Sequence, residues 1–243
     1  MKDIINIHSL LLQKSFFLLI GFSICAFSAC SSEDEEEESE ESVTQTLLSN
    51  GNYLINGHEA VDLGLSVKWA TCNVEASTPE ECGGYYAWGE IYPKDSYNWD
   101  NYKWLELSTG NFTKYGEWGS ILDSSDDVAT MKWGKGWRMP TKEEVDELIT
   151  SCTKDWVRKK VLIDGKYKTR TVGYNLVGPS GKSIYLPSTG YYAETELKSS
   201  SDSYFWSSTG YTDDNARAYD SFWSNCAHTN YKDYGLPVRP VAD

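Results

Sequence analysis

Histidine is scarce in this 243-residue chain, which has three copies, and the spacings that many catalytic and metal sites need are missing. His58 and His228 are the histidines beyond residue 30. No Gly-x-Ser-x-Gly elbow accompanies them, so a Ser-His-Asp triad is not expected. A P-loop is missing, since the "GKG" of "WGKGWR" lacks the spacing and the following Ser or Thr of that motif. No CxxC pair and no Glu-Pro-Asn-like loop occur, so we expect no zinc site, no obligatory calcium and no cofactor. We therefore expect a protein that is not an enzyme.

Positive charge is in deficit, with 22 Lys and Arg against 36 Asp and Glu and a formal net charge of −14. Residues 33–41 carry −8 of this charge, and residues 50–243 carry −7. A nucleic-acid-binding domain has a basic balance, so nucleic acid is excluded as the expected partner.

Phenylalanine is also rare: four of the seven copies lie before residue 30, which leaves three for the rest of the chain. The same part holds ten tryptophans and seventeen tyrosines. These rings combine an apolar body with a polar group, and proteins that bind through their surfaces favour them. Many must also lie in the core of a domain of this size.

Residues 1–29 have the features of a lipoprotein signal peptide. Lys2 and Lys14 flank the apolar run "SFFLLIGFSICAFSAC", which ends in small residues. The tetrapeptide "FSAC" resembles the lipobox of bacterial lipoproteins, in which the cysteine becomes the first residue and is lipidated. The resemblance implies that Cys30 is the lipid anchor in a membrane. An ordinary signal peptide cut at an alanine, or an uncleaved helix, is the alternative.

Residues 30–49 are predicted to form a disordered acidic tether. Its "SSEDEEEESEES" run repels itself and cannot bury apolar surface. Acidic residues directly after a lipidated cysteine resemble the export signal of Bacteroidetes lipoproteins. The resemblance implies an outer-membrane protein exposed at the cell surface.

Residues 50–243 are predicted to form one domain, which opens with a β-hairpin around Asn56-Gly57. "LSVKWATCNV" and "GGYYAWGEI" follow as predicted strands, with Trp69 and Trp88 in the core. Residues 93–120 show neither helix nor strand periodicity and are interpreted as a long aromatic loop, either a functional excursion or a lid.

Two short helices are predicted next, in "DSSDDVATMKWG" and "PTKEEVDELITSC". The first begins at a serine or aspartate cap, and the second has a capping box formed by Thr141 and Glu144. The chain then returns to strands in "GYNLVG", "SIYLPSTG", "YFWSSTGY", "ARAYDSFW" and "GLPVRPV". Antiparallel strands combined with two helices predict an α+β domain. We expect Trp133, Trp137 and Met139 in the core. Arg239 is expected as a buried or half-buried guanidinium that orders carbonyls or a carboxylate, and a ligand-binding arginine is the alternative.

Four cysteines follow residue 30, namely Cys72, Cys82, Cys152 and Cys226. An even count in an exported protein is compatible with two disulfides. Three pairings are possible, and free or partly free thiols are the alternative.

Six ordered motifs resemble the Fibrobacter succinogenes major paralogous domain family of Bacteroidales-type surface lipoproteins. They are "HEAVDLGLSVKWATCNV", "GGYYAWGE", "WGKGWRMPTKEEVDEL", "GPSGKSIYLPSTGY", "YFWSST" and "YGLPVRPV". The resemblance spans residues 52–241 and implies a C-type-lectin-like mixed domain whose termini meet in one sheet. It also implies a ligand surface near the C-terminal strands.

The candidate site is the aromatic and polar C-terminal segment that begins at "FWSSTGYTDDNARAYDSFW". Trp206, Ala218, Tyr219 and Phe222 are predicted to point inward. The predicted ligand-binding residues are Tyr211, Asp213, Asp214, Asn215, Arg217, Ser221, Trp223, Asn225, His228, Asn230 and Tyr231. Loops rich in Tyr, Ser, Asn and Asp above a rigid sheet are typical of adaptable recognition, although polar loops of this kind also occur on ordinary hairpins.

These patterns predict a cell-surface, adhesin-like module that binds an extracellular glycan, peptide or host protein. The segment is also a hypothetical target of a diversity-generating retroelement, because several of its residues are products of randomised asparagine codons. The alternative function is a structural or accessory subunit of a surface assembly such as a fimbrial tip.

Overall fold

The computed structural model describes residues 43–221 and 227–243. The predicted signal peptide and Cys30 lie outside the described residues, as do Phe222, Trp223, Asn225 and Cys226. The described part falls within one compact unit, Glu41–Asp243. No helix in this part is long and apolar enough to cross a membrane.

The fold is mixed and rich in antiparallel sheet. The strands of the described residues are β1 (Gln45–Leu47), β2 (Tyr53–Ile55), β3 (His58–Val61), β4 (Lys68–Ala70), β5 (Leu105–Glu106), β6 (Asn111–Phe112), β7 (Thr153–Ile163), β8 (Lys166–Val177), β9 (Ser183–Pro187), β10 (Tyr191–Ala193), β11 (Glu196–Lys198), β12 (Trp206–Gly210), β13 (Arg217–Asp220), β14 (His228–Tyr231) and β15 (Val241–Ala242). The helices are α1 (Val128–Trp133) and α2 (Lys142–Ser151), with short 3₁₀ turns at Trp99–Asn101 and Ser124–Asp126.

The first and last strands meet in one antiparallel sheet of order β1-β2-β3-β4-β15. The predicted hairpin turn is confirmed, because Asn56 and Gly57 both have positive φ angles, 45° and 79°. The folded part begins before the predicted boundary at residue 50, since β1 pairs with β2. The chain closes where Val241 pairs with Trp69 of β4.

Three further sheets lie between these ends, β7-β8-β9, β10-β11 and β12-β13-β14, together with the small β5-β6 hairpin. The "GGYYAWGEI" segment is not a strand, contrary to the prediction. It makes one isolated bridge, Tyr86 to Leu236. Gly83 and Gly89 have positive φ angles, which bend the backbone away from an extended run at both sides of the bridge.

Both predicted helices are confirmed. The Asp127 side chain caps α1 by accepting a hydrogen bond from the Thr130 N–H at 2.9 Å. Thr141 and Glu144 form the capping box of α2, in which each side chain bonds the backbone N–H of the other residue. Val145 and Leu148 are buried on the inner face of α2.

Tryptophan dominates the core. Trp69, Trp88 and Trp206 are fully buried, as the sequence predicts, and Trp133, Trp137 and Met139 are also buried. Several indoles are satisfied by carbonyls: the Trp88 indole donates to Ser207 O and the Trp206 indole to Tyr86 O, both at 2.8 Å. These bonds fix the base on which the C-terminal strands rest.

The cysteines of the described part are free thiols. Cys72, Cys82 and Cys152 are each half-buried and unbridged. Two disulfides would require two of these three to pair with one another, so the described residues correspond to the free-thiol alternative.

Candidate functional site

The predicted site residues gather around β12, β13 and β14. The turn between β12 and β13 is closed by the Tyr211 N–H, which donates to Arg217 O at 3.0 Å. Asp214 braces the turn by accepting from the Ala216 N–H at 2.9 Å. Asp213 and His228 are exposed, whereas the half-buried members are Tyr211, Asp214, Asn215, Arg217 and Tyr231. Trp223 and Asn225 lie outside the described residues.

The predicted outward position is wrong for two site residues, because Ser221 and Asn230 are buried. The Ser221 hydroxyl accepts from the Phe205 N–H at 3.0 Å, which ties it to the core. Asn230 pairs with Ala218 across the sheet, and directly opposed residues share a face. Since Ala218 is fully buried, its partner also points inward.

The predicted inward positions that are described are confirmed. Trp206 and Ala218 are fully buried, and Tyr219 is 9% exposed. The Tyr219 ring is covered by Tyr211, with the two ring centroids 5.3 Å apart in an edge-to-face arrangement. Tyr211 is therefore held by packing on one side while its other side meets solvent.

Arg217 and Tyr231 form the centre of the outward face. The guanidinium lies 4.3 Å from the Tyr231 ring centroid, within the range of a cation–π contact. The same guanidinium is 3.5 Å from the Asp214 carboxylate. Arg217 is thus oriented by a ring and a carboxylate while the residue remains partly accessible.

Below this face, Asp220 lies against His228, and the two form an ion pair when the imidazole is protonated. Asp220 is fully buried, and burial raises the pKa of its carboxyl. His228 Nδ1 lies 3.5 Å from Asp220 Oδ2, and the hydrogen bond with Asp220 raises the pKa of the imidazole. The Asn230 amide also donates to Asp220 Oδ2, at 3.2 Å. The exposed edge of His228 is therefore a pH-dependent positive charge at the border of the site.

The long loop of residues 93–120 supplies part of the site. Its end pairs with β12 and the following turn: the Gly119 N–H donates to Tyr211 O at 3.0 Å, and the Gly210 N–H donates to Ser120 O at 2.7 Å. Asn215 holds the same loop by donating its amide to Gly116 O at 3.2 Å. The excursion interpretation fits these contacts.

This pairing exposes two apolar side chains that the sequence analysis does not single out. Trp118 is 67% exposed and Ile121 is 62% exposed, beside the turn that carries Tyr211. No local sequence signal marks them, since their place depends on pairing with a strand distant in sequence. We define the recognition surface as Trp118, Tyr211, Asp213, Asn215, Arg217 and Tyr231.

A cleft of about 340 Å³ opens between the loop and the turn. It is lined by Gly110, Asn111, Phe112, Gly116, Glu117 and Asn215. Behind it, the Trp99 ring packs edge-on against Phe112 at 6.0 Å and Tyr231 at 6.3 Å. The cleft thus offers amide and carboxylate groups together with one aromatic ring, that of Phe112.

A second cleft, of about 410 Å³, lies at the other side of the loop and contains Tyr85, Tyr97 and Tyr192. Two of its tyrosine hydroxyls are engaged internally: Tyr85 donates to Thr189 O and Tyr97 to Tyr85 O, both at 2.6 Å. Tyr97 is also buried. These rings serve the packing of the loop, so the first cleft is the better candidate.

Arg239 has the structural role that the sequence predicts. It is fully buried and donates to Asn73 Oδ1 at 2.7 Å, Ala70 O at 2.9 Å and Tyr185 O at 3.0 Å. Its partners are two carbonyls and an amide. Arg239 therefore ties β4 and β9 to the closing segment rather than facing a ligand.

Within residues 43–221 and 227–243, no group of three or more His, Cys, Asp or Glu side chains could hold a metal ion. Neither a protein-family model, nor a curated protein, nor a solved structure matches the chain.

Proposed function

We propose that the chain is a lipid-anchored module of the outer membrane that binds an extracellular ligand at the cell surface, without catalysis. The observation that carries the proposal is the recognition surface itself. Trp118 and Tyr211 present aromatic area to solvent, and Asp213, Asn215 and Arg217 surround them with polar groups. Rigid rings with adaptable polar neighbours are the usual composition of a surface that recognises other molecules.

The proposed ligand is a glycan, a peptide or a host protein, and the cleft beside Asn215 favours a glycan. Aromatic rings can stack under the apolar faces of sugars, while amide and carboxylate groups hydrogen-bond their hydroxyls. Phe112, Asn111, Glu117 and Asn215 provide these groups in one cleft. We further propose a C-type-lectin-like fold, since the terminal strands share a sheet and the candidate surface lies on the C-terminal strands.

The proposal is tested with the soluble chain Glu41–Asp243, the compact unit that contains every described strand, helix and core residue. Binding is measured on a glycan array and on immobilised extracellular-matrix proteins. The double variant Trp118→Ala/Tyr211→Ala is expected to weaken binding about 30-fold, the effect of losing an aromatic hot spot. Tyr92→Ala is the matched control, because Tyr92 is 69% exposed and is not one of the residues that define the recognition surface.

Binding that is equal in the double variant and in the unmodified chain would refute the site. Location has a separate test, in which intact cells are labelled from outside with an antibody against the domain. Labelling that appears only after the outer membrane is opened would refute surface exposure.

Targeting by a diversity-generating retroelement is the remaining part of the proposal. Asp213, Asn215 and Tyr231 lie on the recognition surface and are residue types that randomised asparagine codons produce. A near-identical template repeat and a reverse transcriptase beside the gene are the expected finding. A gene neighbourhood that holds neither would refute this part.

A further inference from the structure

The β7–β8 hairpin is a basic ribbon in an acidic domain. Residues 153–177 contain two carboxylates, Asp155 and Asp164, and seven cations: Lys154, Arg158, Lys159, Lys160, Lys166, Lys168 and Arg170. The segment therefore has a net charge of +5, while residues 50–243 together carry −7. Charge of one sign concentrated in one segment indicates an oppositely charged partner.

The ribbon extends beyond its sheet. β9 pairs with β8 over Gly173–Val177, so the outer residues 158–171 form a two-stranded ribbon. Six residue pairs at the usual rise make this part about 20 Å long. An isolated two-stranded hairpin is marginally stable in water, so contact with a partner would stabilise it.

The cations are arranged against their own electrostatic preference. Lys159 and Arg170 lie directly opposite each other, and like charges in that position destabilise a strand pair. Val161 opposite Lys168 and Ile163 opposite Lys166 continue the same face. The other face carries Arg158, Lys160 and Leu162. In the described part of the chain, no lysine or arginine between residues 158 and 168 forms a salt bridge with a carboxylate.

Two large exposed side chains, one aliphatic and one aromatic, flank the turn at the tip of the ribbon. Leu162 and Tyr167 lie opposite each other beside the Asp164-Gly165 turn, and they are 61% and 76% exposed. Lysines on an edge strand protect it from aggregation, but an exposed leucine beside an exposed tyrosine works against that purpose. Edge protection therefore does not account for the tip.

We propose that the β7–β8 ribbon binds an anionic lipid bilayer, with Leu162 and Tyr167 entering the interface. Arg158 and Lys160, which share the face of Leu162 because side chains alternate along a strand, would contact phosphate headgroups. Clustered Lys and Arg attract anionic lipids, and apolar and aromatic side chains settle at headgroup level. A sulfated polysaccharide would also suit the cations, but it gives no reason for an exposed Leu162. The inference does not depend on the recognition surface, so either can fail alone.

The test is co-sedimentation of the soluble chain Glu41–Asp243, which carries no lipid, with vesicles. Phosphatidylcholine vesicles are compared with vesicles that also contain phosphatidylglycerol. The unmodified chain is expected to bind the anionic vesicles and not the neutral ones. Arg158→Gln/Lys160→Gln should weaken binding roughly 25-fold, about fivefold for each cation.

The tip variant Leu162→Ser/Tyr167→Ser separates insertion from charge attraction, and it should weaken binding at least about tenfold. Lys135→Gln and Leu47→Ser are matched controls, since both side chains are exposed outside the ribbon, and both should bind like the unmodified chain. Circular dichroism confirms that each variant folds. Equal sedimentation with neutral vesicles, or a tip variant that binds fully, would overturn the inference. Binding to heparin without binding to vesicles would also overturn it and assign the ribbon to a polyanionic glycan.

Discussion

Replacement of Arg239 by methionine is the most direct test of how the closing segment is held. The guanidinium is fully buried and donates hydrogen bonds to Asn73 Oδ1, Ala70 O and Tyr185 O. Within the described residues no carboxylate pairs with it, and burial lowers the pKa of Arg239 to about 10. Arg239→Met fills the space and removes all three donors.

The magnitude follows from the three acceptors that lose their donor. A buried polar group without a partner costs about 1–3 kcal/mol, so three of them cost roughly 3–9 kcal/mol. Arg239→Met also removes a buried charge without an ionic partner, and relief of its desolvation cost offsets part of the loss in stability. We expect the free energy of unfolding to fall by about 3–4 kcal/mol, a large share of the ~5–15 kcal/mol typical of a domain.

The assay is urea unfolding of the soluble chain Glu41–Asp243, followed by tryptophan fluorescence. At about 2–4 °C per kcal/mol, the melting temperature should also fall by roughly 10 °C. Arg239→Lys is the control, because one ammonium group cannot reproduce the planar fork and should give an intermediate loss. A loss below about 1 kcal/mol in Arg239→Met would refute the reasoning, since one unsatisfied acceptor alone should cost that much.

Three further predictions concern charge and capping. Burial raises the pKa of Asp233 to about 7, so ionisation of this carboxyl disfavours the folded state as pH rises from about 4 to about 7. Asp233→Asn should therefore add about 2 kcal/mol to the free energy of unfolding at neutral pH and nothing at acidic pH. Urea titration at the two pH values measures the difference. An equal gain at both pH values would contradict this. Asp220 raises the pKa of His228 in the folded state, so the stability from this pair is present below about pH 6.5 and is lost as pH rises through the folded pKa. Thermal melts of His228→Gln at a series of pH values should lack this loss of stability. Thr141→Ala should lower the free energy of unfolding by about 1 kcal/mol through loss of the cap to Glu144, and an unchanged urea midpoint would count against that cap.

Local signals in the sequence predict local structure well in this chain. Asn56-Gly57 specifies its turn because both residues accept positive φ, and Thr141 with Glu144 specifies the start of α2. Asp164-Gly165 has the same turn chemistry, with φ angles of 52° and 72°, yet the long hairpin around it is not predicted. Its strands are rich in Lys and Arg, so the alternation of apolar and polar residues that marks a half-buried strand is missing.

The candidate site is only partly predictable, because its geometry depends on pairing between distant segments. Trp118 reaches the surface beside Tyr211 through the bond between Gly119 and Tyr211, and no local pattern contains that information. Asn230 is polar and lies between the predicted strands "ARAYDSFW" and "GLPVRPV", but the register of β14 places it opposite Ala218 and turns it inward. One residue of register decides which face a side chain occupies.

Strand β1 has a mechanical consequence. It makes three residue pairs with β2, at the edge of the terminal sheet, and all three of its side chains are exposed. A pulling force that enters the domain through the backbone before Gln45 would therefore detach this short strand first. The buried tryptophans and the closing pair of Val241 with Trp69 would stay intact meanwhile. Detachment of β1 would therefore lengthen the chain under load and leave the recognition surface in place.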